Sequence, residues 1–418
     1  MTAKTDEVEE LIATLGRAQL AAGYPVNEVD DTLKAVATAY GRSDLQIYVL
    51  PNAVFVDDVE GGRARIVATD MGSMRLDQAA AVHRIARQAA VAQISATEAT
   101  KRLLAVDDMK PRFPIWMTII ANGLTAAGFA LVFRISLWGV LIAFILGMLV
   151  AVAQVLSASR PAINSLVPFF SAVVAAYVVF TLGAAFGDDI QPVRAVAAPI
   201  ITLIPGVGLT RGTQELANGQ IMSGSARLVN ALVQILVLTF GVLVGAQLAP
   251  IDNYSFGDLT QTLLPWWAAW VGVLVFAVGQ SMVSNEARGG IRVVVLLLLV
   301  AYGVQTAITV TIDPVLAAGV GAAAALFLAI VFQRRSRRGI PAFALFEPVF
   351  WLLVPGSLGL VALTEAFGRG GSSSDPTNAN DVLYLAGASI VAITIGMIVA
   401  SALGRLVPSI VPEPADVD

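Results

Sequence analysis

Residues 203–228 read LIPGVGLTRGTQELANGQIMSGSARL, and this stretch decides how the chain is organised. Pro205-Gly206 stands inside an apolar run, and Glu215 follows ten residues after the proline. The pattern returns 150 residues later, where Pro355-Gly356 is followed at the same distance by Glu365. A second signal agrees, because FPIW at 113–116 and LPWW at 264–267 each open an apolar run at an offset of 151. The offsets predict two related halves.

The charged residues separate the first 112 positions from the remainder. Residues 1–112 carry 29 Asp, Glu, Lys or Arg side chains, whereas the next 306 residues carry 27. In a soluble globule about a quarter of the residues are charged, so the second part is too apolar for that class. A net charge of −4 does not favour a nucleic-acid partner, and the absence of Cys excludes a disulfide scaffold. We expect a mostly α-helical protein in the lipid bilayer, preceded by a soluble domain.

Residues 1–112 are predicted to form a small α+β domain with a linker helix. Apolar residues recur at helical spacing in two segments that Gly23 and Gly41 can end. Three short strands are predicted at 45–50, 53–59 and 63–68. A third helix covers about 75–94, and Ser95 to Glu98 matches a capping box that starts the linker helix. With no secretory signal before it, this domain is expected in the cytoplasm.

This domain shows no sign of catalysis. His83, the single His, lies on the apolar face of its helix and is interpreted as a packing residue. Asp57 and Asp58 point apart on a strand, and Gly61-Gly62 leads into no phosphate-binding helix. We therefore expect no enzyme activity, no metal site and no cofactor. A regulatory or supporting role is favoured.

The remainder offers ten apolar segments of the length that a membrane span needs, about 20 residues. They are 114–133, 137–156, 163–185, 192–210, 227–248, 264–283, 291–311, 314–332, 342–363 and 382–403. The predicted halves are five-span repeats at 113–250 and 263–405, followed by a cytoplasmic tail at 406–418. Because five is odd, the second half enters the membrane in the opposite sense. Such an inverted repeat is typical of secondary transporters.

The arginines orient these spans. With the N-terminus inside, the cytoplasmic segments carry ten Arg residues and the outside loops carry Arg134, Arg194 and Arg369. This bias follows the positive-inside rule and places both termini in the cytoplasm. We expect a multi-pass protein of the bacterial plasma (inner) membrane, and a homo-oligomer is compatible with the sequence.

The Pro-Gly pairs predict two discontinuous helices. A proline inside a span leaves backbone groups without partners, which lipid cannot satisfy, so the break must be buried in protein or line a wet cavity. The helix that restarts there offers free N–H groups to an anionic ligand. The residues assigned to the two breaks are Pro205, Gly206, Gly208, Pro355, Gly356 and Ser357. A simple kink without a ligand is the alternative.

Polar residues at membrane depth need a partner or a pathway. Glu347 lies five residues into the ninth span. Glu215 follows Arg211 at i, i+4, so a local ion pair is predicted as the alternative to a role in transport. Two polar stripes, which join helices or bind substrate, comprise Thr118, Asn122 and Thr125 in span 1 and Arg227, Asn230 and Gln234 in span 5.

Residues 203–228 resemble the signature of the threonine/serine exporter family. The matching positions are Pro205-Gly206, the acid Glu215, the glycines Gly219 and Gly224, and Arg227. The family acid is more usually Asp, so Glu215 departs from the pattern but keeps the charge. The N-terminal run at 18–29 and VPGSLG at 354–359 also look like the family.

The resemblance implies ten spans, a cytoplasmic domain, and export of threonine and serine driven by an ion gradient, with protons favoured. Relatives associated with dicarboxylate export leave succinate as the alternative substrate, and an uncoupled channel is a second alternative. Thr213 and Arg211 join the breaks as candidate substrate residues. The candidate coupling acids are Glu215, Glu347 and Glu365.

Overall fold

A computed structural model describes residues 2–59, 61–69, 74–186, 192–250, 262–336, 340–353 and 377–408. The second Pro-Gly motif, with Pro355, Gly356, Ser357 and Glu365, lies outside the described residues.

The N-terminal region, defined here as residues 2–107, contains four helices and one sheet. Its helices are α1 (Thr2–Ala21), α2 (Val26–Ala39), α3 (Leu76–Ala90) and α4 (Ala96–Asp107). Strands β1 (Gln46–Leu50), β2 (Ala53–Asp58) and β3 (Arg63–Ala68) form an antiparallel sheet in the order β1-β2-β3. Their bounds agree within one residue with the period-two pattern of the sequence.

One face of this sheet packs on the helices. Val54 and Val56 are buried on β2, because alternate residues of a strand point to the same face. Val54 lies against Gly16 of α1, where an added Cβ would stand 2.8 Å from Val54 Cγ2. Leu11, Ile12 and other apolar residues of α1 are fully buried in the same cluster. The N-terminal region therefore has a hydrophobic core of its own.

The remaining described residues are almost entirely helical. The predicted first half contains α5 (Ile115–Val132), α6 (Leu137–Ser157), α7 (Pro161–Asn164), α8 (Val167–Phe186), α9 (Pro192–Ala197), α10 (Gly206–Ala217) and α11 (Ile221–Leu248). The described part of the predicted second half contains α12 (Trp266–Val283), α13 (Gly290–Thr311), α14 (Pro314–Arg335), α15 (Ala342–Leu353) and α16 (Thr377–Arg405).

Seven helices among the described residues are long and apolar enough to cross a membrane. They are α5, α6, α11, α12, α13, α14 and the Gly387–Arg405 part of α16. Two shorter apolar helices, Val167–Gly183 and Ala342–Leu353, fall where the third and ninth spans were predicted. The chain is thus a multi-pass membrane protein, and the count of ten spans stays a prediction.

The predicted fourth span, 192–210, is interrupted at the position where the Pro205-Gly206 pair predicts a discontinuous helix. It contains α9, a 3₁₀ turn at Ile201–Leu203, and the first residues of α10. The interruption falls at Pro205, which has no N–H to continue a helix. The new helix then runs seven residues beyond the predicted end of the span, to Ala217.

Helices α5 and α12, which open the two predicted halves, pack antiparallel through paired glycines. A Cβ on Gly128 would lie 2.7 Å from Phe276 Cα, and one on Gly279 would lie 2.6 Å from the Thr125 nitrogen. Adding 151 converts Gly128 to Gly279 and Thr125 to Phe276, so each contact is the counterpart of the other. The carbonyls that approach the two glycines, of Gly272 and Ala121, differ by the same 151.

In a second pair of interfaces the glycines keep this offset, but the residues that they contact do not. Gly245 of α11 lies against the carbonyl of Val173 in α8, and Gly396 of α16 lies against the carbonyl of Gly319 in α14. The glycines differ by 151 and the carbonyl residues by 146. In both cases the missing side chain lets two backbones approach, as is common between membrane helices.

The N-terminal region docks on the loop between α12 and α13. The free N–H groups of Leu76 and Asp77, at the start of α3, donate to the carbonyls of Ser284 and Asn285, each at 3.1 Å. Arg112 adds a hydrogen bond from Nη1 to the Glu286 carbonyl at 3.0 Å. The loop at 284–289 therefore forms an interface between the N-terminal region and the helices of the membrane part.

Candidate functional site

The break before α10 is held by a side chain from the next helix. Gln234 of α11 donates from Nε2 to the Leu203 carbonyl at 2.6 Å, which satisfies a backbone oxygen that the interruption leaves free. Gly206 is buried at the start of α10, and Gly208 is in ordinary contact with Ala231 of α11. The polar stripe on span 5 thus joins two helices at this position.

A tight turn then folds α11 back on α10. Gly219 has φ +79°, and the N–H groups of Gly219 and Gln220 donate to the carbonyls of Leu216 and Glu215. This pattern is a Schellman motif, in which glycine adopts the left-handed conformation without cost. Gly224 stands against α10, where an added Cβ would lie 2.6 Å from the Gly212 carbonyl. The two signature glycines therefore have structural roles in a helical hairpin.

The hairpin places Glu215 opposite Arg227. Arg227 Nε donates to Glu215 Oε2 at 2.9 Å, and Ser223 Oγ donates to the same oxygen. Glu215 is 2% exposed, and its Oε1 has no hydrogen-bond partner among the described residues. The predicted pair between Glu215 and Arg211 is wrong, because the turn at Gly219 brings a closer cation to the carboxylate.

Arg211 instead connects three parts of the protein. Its Nη1 donates to the Gly23 carbonyl at 2.8 Å, and its Nη2 lies 3.6 Å from Glu347 Oε2 on α15. The guanidinium also stands over the ring of Phe343, 5.4 Å from the ring centre. Arg211 is buried, and its Nη2 makes no hydrogen bond within the described part of the chain.

Gly23 is available to Arg211 because of how α1 ends. Gly23 has φ +84°, and the N–H groups of Gly23 and Tyr24 donate to the carbonyls of Leu20 and Gln19. This second Schellman motif uses the two N–H groups and leaves the Gly23 carbonyl free to accept from Arg211. The predicted end of the first helix thus becomes a docking point for the membrane part.

A cavity of about 720 Å³ lies between the N-terminal region and helices α10, α14, α15 and α16. Its wall includes Glu28 and Asp31 from α2, Arg211 and Gln214 from α10, and Phe343 from α15. The volume falls within the range of small-molecule sites. The cavity therefore presents carboxylates, a guanidinium and an amide to a common space.

Two aromatic residues and His83 close one side of this cavity. The Tyr24 hydroxyl is 2.8 Å from His83 Nδ1, and the Tyr24 and Phe343 rings meet edge to face at 4.3 Å. Burial lowers the pKa of His83 to about 3, and Arg87 and Arg84 add to this shift. His83 is therefore neutral at physiological pH, and it lines the cavity in addition to packing in the core.

Glu286, in the loop after α12, was missed by the sequence reasoning. It is fully buried, its Oε1 accepts from the Ala287 N–H at 3.1 Å, and its Oε2 has no partner among the described residues. Burial raises the pKa of Glu286 to about 8. Glu286 lies between two predicted spans, and nothing in the local sequence indicates that a loop acid there is buried.

The other candidates lie apart from the cavity. Asn122 is buried in α5, and its Oδ1 has no hydrogen-bond partner in the described residues. Asn230 is exposed on α11, and Thr213 Oγ1 donates to the Leu209 carbonyl at 2.9 Å. The structure thus brings together Arg211 with Glu347, and Glu215 with Arg227, but not the full set of predicted substrate residues.

Comparison with known proteins places the chain in a family. The family model described as "Putative threonine/serine exporter" (ThrE) matches residues 10–249. No solved structure matches the chain.

Fungal membrane proteins are among its relatives. Pheromone-regulated membrane protein 10 of Eremothecium gossypii is 24% identical over 292 residues, which cover 66% of this chain and 38% of that protein. An uncharacterized protein of Schizosaccharomyces pombe is 26% identical over 250 residues, or 57% of this chain and 30% of the relative. The chain thus spans less than two fifths of the length of these relatives. Because the family model covers more than half of the chain, the protein belongs to the threonine/serine exporter family of membrane transporters.

Proposed function

We propose that the protein is a secondary active exporter of small polar amino acids, threonine and serine, coupled to the proton gradient. The observation that carries this proposal is the contact between Arg211 and Glu347 beside the cavity. An amino acid brings a carboxylate for a guanidinium and an ammonium group for a carboxylate, so it matches both members of this pair. The family membership supports the substrate class.

Glu347 is the coupling acid that the geometry favours. It contacts Arg211, its side chain is 25% exposed, and its neighbours Phe343 and Phe346 line the cavity. Glu215, in contrast, is held by Arg227 and Ser223 inside the hairpin. A proton and a substrate ammonium group would compete for the Glu347 carboxylate. Such competition produces exchange of one for the other, which is what proton-driven export requires.

The restart of α10 at Gly206 is the proposed second carboxylate site. The cavity reaches α10 at Arg211, five residues after Gly206, which corresponds to about 8 Å along the helix axis. Free N–H groups at a helix N-terminus favour an anionic group. A substrate that leaves Arg211 would therefore meet the α10 terminus further along the same helix.

An inverted repeat would let this site open to either side. The reciprocal contacts of α5 with α12, and the matched glycine contacts of α11 and α16, support such a repeat. The positive-inside bias of the sequence supports a cytoplasmic N-terminal region. In this arrangement the cavity faces the cytoplasm, and exchange of the two halves moves the substrate outward.

Transport from reconstituted vesicles tests the proposal. Vesicles loaded with labelled threonine, serine or succinate are followed with and without an imposed proton gradient. We expect saturable efflux of threonine and serine that the gradient accelerates. Gradient-linked efflux of succinate without efflux of amino acids would show that the substrate is a dicarboxylate. Non-saturable flux that is the same with and without the gradient would indicate a channel.

A further inference from the structure

The cavity has two walls that come from different parts of the chain. One wall belongs to the N-terminal region and includes Asn27, Glu28 and Asp31 of α2, and the other includes Arg211 and Gln214 of α10.

The two walls are fixed to each other by the hydrogen bond from Arg211 to Gly23 and by the Tyr24–Phe343 ring contact. The N-terminal region is therefore part of the cavity rather than a remote attachment.

Glu28 is displayed toward this space by the start of α2. Pro25 is the N-cap residue of the helix, and Glu28 stands in its first turn, where an acid is favourable. Its side chain is accessible to solvent from within the cavity, and its carboxylate makes no hydrogen bond to the described residues. The backbone carbonyl of Glu28, by contrast, is used within α2 by Thr32. The carboxylate is thus available to a ligand.

Arg211 offers the complementary charge. Its Nη2 is buried and makes no hydrogen bond to the described residues, and its 3.6 Å contact with Glu347 is longer than a hydrogen-bonded ion pair. Enclosure raises the pKa of Glu28, Arg211 opposes this rise, and Asp31 adds to it. A bound ammonium group would stabilise the ionised carboxylate in the same way as Arg211 does.

We infer that Glu28 and Arg211 form an entry site for α-amino acid zwitterions, in which Glu28 binds the ammonium group and Arg211 binds the carboxylate. This inference rests on the proposed function and assigns a specificity role to the N-terminal region. Amide side chains of Asn27 and Gln214 line the same cavity and can pair with the hydroxyl of threonine or serine.

The entry site also discriminates against the alternative substrate. A dicarboxylate would satisfy Arg211 but would bring its second negative charge close to Glu28 and Asp31. Like charges in a partly enclosed site repel strongly, because the effective dielectric constant is lower than in water. An amino acid places a positive group there instead. The two acids of α2 therefore select the zwitterion over the dianion.

The test compares threonine with 3-hydroxybutyrate, which lacks the ammonium group. Binding of both to the full-length protein in lipid nanodiscs is measured for the wild type, Glu28→Gln and the matched control Asp30→Asn. Asp30 lies on the same helix but pairs with Lys34 outside the cavity. We expect Glu28→Gln to weaken threonine binding about tenfold to hundredfold, to leave 3-hydroxybutyrate unchanged, and Asp30→Asn to have no effect.

The outcomes separate this inference from the proposed function. If the wild type binds and exports threonine but Glu28→Gln binds it equally well, the entry site is wrong and the exporter function stands. If the wild type binds succinate and neither threonine nor serine, the proposed function itself fails. Glu28→Ala gives a second variant, and its thermal unfolding midpoint relative to Asp30→Asn shows whether a loss of binding is a loss of folding.

Discussion

The carboxylate of Glu215 accepts a hydrogen bond from Arg227 Nε at 2.9 Å, across the turn that joins α10 to α11. Both side chains are at least nine-tenths buried. A buried ion pair of this kind is costly to break, because the remaining partner is left as an unpaired charge. The central acid of the family signature is therefore a structural element of the helical hairpin.

Glu215→Leu alone is expected to lower the free energy of unfolding by about 3–5 kcal/mol, since Arg227 then loses its counter-charge. The double variant with Arg227→Met removes both charges and should recover most of this loss. Thermal unfolding in detergent measures both. If the double variant also exports threonine, Glu215 is not the coupling acid. Recovery of folding without transport would instead assign the Glu215–Arg227 pair to the transport mechanism.

Glu347→Gln tests whether Glu347 is the acid that couples transport to the proton gradient. A neutral amide cannot exchange a proton for an ammonium group, so gradient-driven efflux should disappear. Exchange of labelled for unlabelled threonine across the vesicle membrane needs no net proton movement, so it should persist at saturating threonine, with a higher KM because the amide carries no charge for the ammonium group. Full gradient-driven efflux in this variant would exclude Glu347 from coupling.

The close backbone contact between α10 and α11 predicts that replacing Gly224 lowers the stability of the protein. Gly224→Ala would place a methyl group 2.6 Å from the Gly212 carbonyl, which forces the two helices apart. We expect a lower unfolding midpoint and a weakened Glu215–Arg227 contact. Gly183→Ala is the matched control, because an added Cβ at Gly183 meets nothing within 4 Å. Equal midpoints for the two variants would contradict the packing argument.

The elements that the sequence predicts well are those with a local cause. The strands at 46–50, 53–58 and 63–68 follow a period of two, and the helix ends at Gly23 and Gly41 follow from the left-handed conformation that glycine tolerates. The break at Pro205 was predicted for the same reason, since proline has no N–H to donate.

The parts that the sequence could not predict depend on contacts between distant segments. The i, i+4 spacing allows Glu215 to pair with Arg211, but in the folded hairpin Glu215 pairs with Arg227. Arg211 donates instead to the carbonyl of Gly23, 188 residues away in the sequence. No local pattern encodes that docking. The position of Glu28 in the cavity could not be predicted for the same reason. An acid in the first turn of a soluble helix is common, and only the contact between distant segments places it opposite Arg211.

Arg211→Lys should loosen the docking of the N-terminal region. Lysine keeps the charge but is a single-point donor, so it cannot reach Gly23 and Glu347 together as the forked guanidinium does. Hydrogen exchange of residues 20–30 should become faster, whereas the strands at 46–68, within the core of the N-terminal region, should keep their protection. Unchanged exchange at 20–30 would show that Arg211 does not hold the two parts together.

Glu286 predicts how stability changes with pH. Burial raises its pKa from the ordinary value near 4.5 to about 8, and Glu347 and Asp77 add to this rise while Arg112 and the Ala287 N–H oppose it. The folded protein therefore binds this proton more tightly than the unfolded chain. The resulting stabilisation is complete below pH 4.5 and is lost as pH rises through 8, a change of up to about 5 kcal/mol.

Thermal unfolding between pH 6 and pH 9 measures this change. We expect the unfolding midpoint of the wild type to fall over that range. Glu286→Gln keeps the acceptor for the Ala287 N–H but has no proton to lose, so its midpoint should fall less and should exceed that of the wild type at pH 9. Glu98→Gln serves as the control, because Glu98 is an exposed acid paired with Arg102 on α4. If the unfolding midpoints of the wild type and Glu286→Gln changed with pH in parallel, Glu286 would not titrate in this pH range.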